Sequence, residues 1–102
     1  MNKKAKPHFI TEYKLVLQLY VSGMSPKSME AIENIKRLCD EHLRDAFELE
    51  IIDIYTNPEA AMAQHIVFSP SLIKKFPLPK KTLIGTLADS EKVIKALGIS
   101  FE

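Results

Sequence analysis

Cysteine is nearly missing from this chain: Cys39 is the only one in 102 residues. A single thiol excludes an internal disulfide and any CxxC redox pair, and it fits a reducing cytoplasm. Glycine is scarce as well. Gly23, Gly85 and Gly98 stand too far apart to form a phosphate-cradling loop. No apolar run approaches the ~20 residues that span a bilayer, so no membrane role is expected. Met1 to His8 is basic but has no apolar stretch, so it does not read as a secretory signal. Residues 1–12 are expected to form a flexible basic tail ahead of one domain over residues 13–102. Neither sign of charge dominates: 14 Lys+Arg face 13 Asp+Glu, for a net charge of +1. There is no broad basic field of the kind that wraps nucleic acid. His8, His42 and His65 share no helical face, so no metal site is expected, and no motif calls for a cofactor.

What is present is an ordinary globular composition, 46% hydrophobic and 26% charged, enough for one core. Tyr13 to Val21 alternates with period two, and its second face is half apolar, which predicts a strand inside a sheet. Ser25 then Pro26 reads as a helix cap followed by a proline at the first helical position. Met29, Ile32, Ile35, Cys39 and Leu43 continue as the apolar stripe of a helix reaching about Arg44. Phe47 to Tyr55 is a second strand, joined to the first as a right-handed βαβ unit. Its phase slips at Ile51-Ile52, which predicts either a bulge or a change from an edge-like to a covered environment. Asn57-Pro58 repeats the cap-then-proline start for a short helix to about Gln64. Ser71–Phe76 and Lys81–Thr86 read as short strands, with Pro77 and Pro79 between them. Asp89 caps a last helix that Gly98 ends. The predicted fold is α/β: the order β-α-β-α-β-β-α in a single mixed sheet with helices on both faces.

Few residues in this pattern carry chemistry. Cys39 lies on the apolar stripe of its helix, where a small buried hydrophobe is the plainer reading than a reactive thiolate. Asp53, in an otherwise apolar strand, is either a contact or general base, or a polar residue near the strand end. Ser25 and Ser28 have no identifiable base beside them, which favours capping over nucleophilic catalysis. Lys74, Lys75, Lys80 and Lys81 cluster around the Pro77/Pro79 hairpin. They form either a solvated rim or a docking surface for an acidic partner.

Ser25-Pro26-Lys27-Ser28 stands where a thioredoxin-type fold carries its CxxC, and Pro70 stands where it carries a cis-proline. With serine at both cysteine positions, thiol–disulfide exchange has no attacking or resolving sulfur. From Tyr13 to Leu97 the chain resembles the KaiB family more closely. The resemblance is carried by Leu17-Gln18-Leu19-Tyr20-Val21-Ser22-Gly23, Ser25-Pro26-Lys27-Ser28, Ile52-Asp53-Ile54 with Asn57-Pro58, and Ser69-Pro70-Ser71-Leu72. Pro77-Leu78-Pro79, Leu83-Ile84-Gly85 with Leu87, and Glu91-Lys92-Val93 complete it.

This resemblance implies a thioredoxin-like, non-enzymatic, protein-binding regulator. Members bind KaiC, a RecA-like hexameric ATPase, and a similar domain is the sensor of a clock histidine kinase. The family also implies a C-terminal half that switches between a thioredoxin-like, KaiC-binding form and a tetramer-forming one. Glu48 and Glu50 stand where the family usually has a small residue and a lysine, which argues against the usual KaiC contact. Lys74 and Lys81 keep basic positions. Ala96 and Gly98 replace a glycine and an aspartate linked to switching. With Pro70, these are the positions expected to bias the fold state, Ala96 toward the helix.

The expected function is therefore docking on a KaiC-like ATPase or a signalling kinase, in a clock-related or stress-adaptation pathway. Glu48, Glu50, Lys74, Lys80 and Lys81 are the expected contacts. A single-cysteine thiol enzyme acting through Cys39, or a self-assembling dimer or tetramer, are the alternatives.

Overall fold

The computed structural model describes residues 14–99. Tyr13 and the expected basic tail lie outside these residues. Seven elements follow in order: β1 (Leu15–Val21), α1 (Pro26–His42), β2 (Phe47–Asp53), α2 (Pro58–Ala63), β3 (Ser71–Phe76), β4 (Lys81–Ile84) and α3 (Ser90–Leu97). They build one four-stranded mixed sheet in the order β2-β1-β3-β4. β1 pairs parallel with β2 and antiparallel with β3, and β4 pairs antiparallel with β3.

The two-faced apolar pattern of β1 has a direct cause in this order: β1 is an inner strand and is covered on both sides. Leu15, Leu17, Leu19 and Val21 pack with Ile35, Leu38 and Cys39 of α1 and with Val93, Ile94 and Leu97 of α3. On the opposite face Tyr20 joins Ile52, Ile73 and Ala61 of α2. Helices thus lie on both faces, two on one side and the six-residue α2 on the other.

The phase slip at Ile51-Ile52 involves no bulge. The β1–β2 register runs unbroken from Leu15↔Phe47 to Val21↔Asp53. Ile51 keeps the face of Phe47 and Leu49, whereas Ile52 is buried beneath α2. The second of the two expected explanations is the correct one. Among the described residues the ladders are irregular elsewhere, between Val16 and Leu17 where they meet β3.

Helix ends follow the capping chemistry at two of three sites. The Ser25 hydroxyl accepts the Ser28 N–H, and Pro26 opens α1. Asp89 Oδ1 accepts the Lys92 N–H at 3.3 Å at the start of α3. Gly98 ends α3 with φ +73°, and its N–H returns to the carbonyls of Ile94 and Lys95, a left-handed cap suited to glycine. Asn57 differs from expectation. Its side chain makes no cap bond to α2 and instead donates to the Asp53 carbonyl at 3.2 Å. The peptide bonds Ser69–Pro70, Phe76–Pro77 and Leu78–Pro79 are all cis.

Candidate functional site

The C-terminal ends of β1 and β2 and the N-terminal end of β3 meet at one end of the sheet, where three loops are stitched together. Ser22 Oγ donates to Ser69 Oγ at 2.7 Å, tying the β1–α1 loop to the segment before Pro70. The Gly23 N–H donates to Asp53 Oδ1 at 3.1 Å, and the same oxygen takes the Tyr55 N–H at 2.9 Å. The Tyr55 ring lies against Gly23, 3.5 Å from where a Cβ would stand, and Gly23 holds φ +57°. A side chain there would be strained by the backbone, while its Cβ would meet the ring only at ordinary contact distance. On the other flank the Gly85 N–H donates to the Pro70 carbonyl at 2.9 Å.

Asp53 is therefore a loop organiser at the end of its strand. One oxygen of its carboxylate takes two backbone donors, which supports the polar strand-end reading over the general base.

The two serines of Ser25-Pro26-Lys27-Ser28 bond to one another. The Ser25 hydroxyl donates to Ser28 Oγ at 2.8 Å, while Ser25 Oγ accepts the Ser28 N–H at 3.3 Å. Ser28 is fully buried, and its Oγ also accepts the Ser22 N–H at 3.0 Å. These hydroxyls complete the turn and are held within it. No base reaches either oxygen among the described residues, so the arrangement has the partners of a cap and lacks those of a nucleophile.

Cys39 is fully buried in the core under α1. Burial, and secondarily the neighbouring Asp40 carboxylate, push its thiol up to about 12. At neutral pH it is a protonated, enclosed thiol with no route to a substrate.

Large apolar side chains surround this corner in the open. Met24 is 81% exposed, Tyr55 72% and Phe68 60%, on three adjacent loops, and Ile84 at the end of β4 is 62% exposed. Following the strand order, they form a row across the end of the sheet: Tyr55, Met24, Phe68, Ile84. Solvent-facing aromatic and methionine side chains grouped in this way are the usual material of a protein interface. Sequence periodicity does not reveal Met24, Tyr55 and Phe68 because they lie in loops outside any repeating pattern, and Ile84 is the last residue of a four-residue strand. Their signal is a bulky apolar residue next to Gly23 and Gly85 and two positions before Asn57 and Pro70.

The charged residues expected to make contacts occupy other parts of the surface. Glu48 and Glu50 are exposed on edge strand β2. Glu50 Oε1 accepts the Gln18 amide at 3.0 Å, and the Tyr20 hydroxyl donates to Gln18 Oε1 at 2.9 Å. Burial first, and the Glu50 charge second, raise the Tyr20 hydroxyl above its ordinary value. Lys80 and Lys81 are exposed at the far edge, and Lys80 Nζ donates to Gln64 Oε1 at 2.9 Å.

Lys74 corrects the expected lysine cluster. It is only 5% exposed; its place in β3, opposite Leu17, turns it toward the face that α1 and α3 cover. It is not displayed with Lys80 and Lys81. Ala96 is half-buried in α3, and Gly98 caps that helix. No group of three or more metal-ligating side chains converges among the described residues.

Sheet order, helix placement and the serine-for-cysteine corner define a thioredoxin-like domain without the redox pair. Solved structures agree on the fold. The N-terminal domain of Synechococcus elongatus SasA superposes with a TM-score of 0.69 at 22% identity, covering 96% of this chain and 91% of that one. Chloroplastic thioredoxin z superposes with a TM-score of 0.69 at 13% identity, covering 87% and 80%.

Sequence relatives narrow the class. Residues 18–99 match the KaiB domain model. Circadian clock protein KaiB3 of Synechocystis is 42% identical over 86 residues, 84% of each chain. The circadian clock oscillator protein KaiB of Microcystis aeruginosa is 37% identical over 87 residues, 85% of this chain and 84% of that one. This chain belongs to the KaiB family.

Proposed function

We propose that this protein is a non-enzymatic, cytoplasmic regulator that docks on a protein partner, a KaiC-like ATPase or a signalling kinase. The pathway would be a clock-related or stress-adaptation one. The observation that carries this reading is the conjunction at one end of the sheet. The redox corner is converted to self-bonded serines, and an exposed row of Tyr55, Met24, Phe68 and Ile84 borders it. A surface that has lost its reactive atoms but displays large apolar side chains is suited to recognition. Burying three or four such side chains on a partner supplies roughly 1.5–3 kcal/mol each before association costs.

Lys80, Lys81, Glu48 and Glu50 act as peripheral contacts that select the partner by charge. Fold state enters through α3. Ala96 and the left-handed Gly98 cap favour the thioredoxin-like arrangement, in which the docking row is assembled. The enclosed Cys39 thiol weighs against the single-cysteine enzyme.

Affinity capture from the native host, with wild type beside Met24→Ser/Tyr55→Ser/Phe68→Ser and Glu50→Lys variants, tests the proposal. An ATPase or kinase retained by wild type and lost with the triple variant supports it. Equal recovery with all three proteins, or recovery of neither enzyme, refutes it.

A further inference from the structure

Among the described residues β4 pairs only with β3, so its other side is an open edge. One bond decides which backbone groups face outward. The Gly85 N–H donates to the Pro70 carbonyl, and in an antiparallel ladder alternate residues bond to the same neighbour. Leu83 and Lys81 therefore also bond to β3, opposite Leu72 and Lys74. Thr82 and Ile84 turn their N–H and C=O groups away from the sheet, and both residues are exposed. Together they offer two donors and two acceptors at the spacing that an added strand needs.

A groove of about 390 Å³ runs beside this edge, on the face that α3 covers. Leu83, Leu87 and Val93 give it an apolar lining, and Asp89 and Lys92 line it past the Ile84 end of the strand. The charges at that end offset one another, and Asp89 Oδ1 already accepts the Lys92 N–H.

The other end is purely basic. Lys81 shares the face of Leu83, since side chains alternate along a strand. Lys80 is drawn toward α2 by its bond to Gln64, so Lys81 supplies the charge here. Directly across the ladder on the same face is Lys74. It is 5% exposed and has no hydrogen-bond or ion-pair partner among the described residues. Two cations placed opposite one another destabilise a sheet, and neither β3 nor β4 carries an anion to offset them.

We propose that the β4 edge binds an extended acidic segment of a partner protein by strand addition. The backbone of the segment bonds to Thr82 and Ile84. One of its apolar side chains enters the groove over Leu83, and two positions away an aspartate or glutamate lies beside Lys81. The period of two along both strands sets that spacing. Lysine on an edge ordinarily discourages strand addition. Here the protection is selective, because an acidic strand relieves the opposition of Lys74 and Lys81 and a basic strand worsens it. Met24, Tyr55 and Phe68 take no part, so this site stands or falls separately from docking at the serine corner.

Titration of the isotope-labelled full chain with synthetic peptides, followed by amide NMR, tests the proposal. Two probes carry glutamate and valine two positions apart among threonines, in either order, to suit a parallel or an antiparallel strand. Two counterparts carry lysine in place of glutamate. At least one glutamate peptide is expected to bind wild type, with the largest shifts at the Thr82 and Ile84 amides. Its lysine counterpart is expected to bind at least tenfold more weakly. Thr82→Pro removes an outward N–H at an edge position, where proline is tolerated, and is expected to lose binding by a similar factor. Lys81→Glu is expected to reverse the preference, and its binding of the lysine peptide also shows that it is folded. The proposal is overturned if neither glutamate peptide shifts those two amides, if the lysine peptides bind wild type equally well, if Thr82→Pro binds like wild type, or if Lys81→Glu does not reverse the preference.

Discussion

Replacing Ser28 by alanine tests whether the serines of the β1–α1 corner are structural. Ser28 is fully buried and its oxygen takes two hydrogen bonds, from the Ser22 N–H at 3.0 Å and the Ser25 hydroxyl at 2.8 Å. Removing the oxygen leaves a partly buried amide without its acceptor, at a cost of about 2 kcal/mol. Ser25→Ala removes the α1 cap, which costs about 1 kcal/mol. The two substitutions share the bond between the hydroxyls, so they cannot add. The double variant should fall short of the summed cost by about 0.5–1 kcal/mol. Urea unfolding of the four proteins, with slopes compared to confirm a common transition, measures the cycle. In thermal melts Ser28→Ala corresponds to a drop of roughly 8–16 °C, at about 4–8 °C per kcal/mol for a domain of this size. A drop under about 3 °C, or strict additivity of the two costs, would refute the account of these hydroxyls as a coupled structural unit.

Further expected outcomes concern Cys39, Gly98 and the lysines of β3 and β4. Cys39 should be silent to a thiol reagent in the native protein at pH 8 and react with one equivalent after denaturation. Because folding raises its pKa from 9.0 to about 12, only the unfolded state ionises between those values. Stability should fall as pH rises through that window, and the fall should be shallower in Cys39→Ala. Gly98→Ala places a Cβ at φ +73° and should destabilise α3 by about 1–2 kcal/mol, visible as faster amide exchange in that helix. Lys74→Met should stabilise the fold by about 1 kcal/mol, since Lys74 is 5% exposed and has no ion-pair partner among the described residues. Lys81→Met, at an exposed edge, should change the melting point little.

Much of the architecture was legible because its causes are local. Period-two alternation located β1, and its half-apolar second face revealed an inner strand with helices on both sides. Ser25-Pro26, Asp89 and Gly98 marked helix ends because capping depends on a few adjacent residues. What depends on neighbours distant in sequence was not legible. Ile51-Ile52 could be a bulge or a change of cover until β1 and α2 were in place. Lys74 looks like Lys80 and Lys81 as text, yet a ladder position opposite Leu17 buries it. Asn57 reads as a cap, but Asp53 claims its side chain. The apolar row of Tyr55, Met24, Phe68 and Ile84 arises only when the ends of separate strands and their loops converge, so no single stretch of sequence contains it. The absence of a CxxC pair, by contrast, is visible directly in Ser25-Pro26-Lys27-Ser28.

The central claim is that this domain acts by recognition through the row beside its serine corner. The most direct measurement is calorimetric titration of purified KaiC-type ATPase hexamer with wild type and with Tyr55→Ser/Phe68→Ser, each checked for an unchanged fold by amide exchange. The account predicts saturable binding by wild type and a loss of at least tenfold for the variant, since truncating two buried aromatic anchors costs more than about 1.4 kcal/mol. Equal affinity of the two proteins would contradict it.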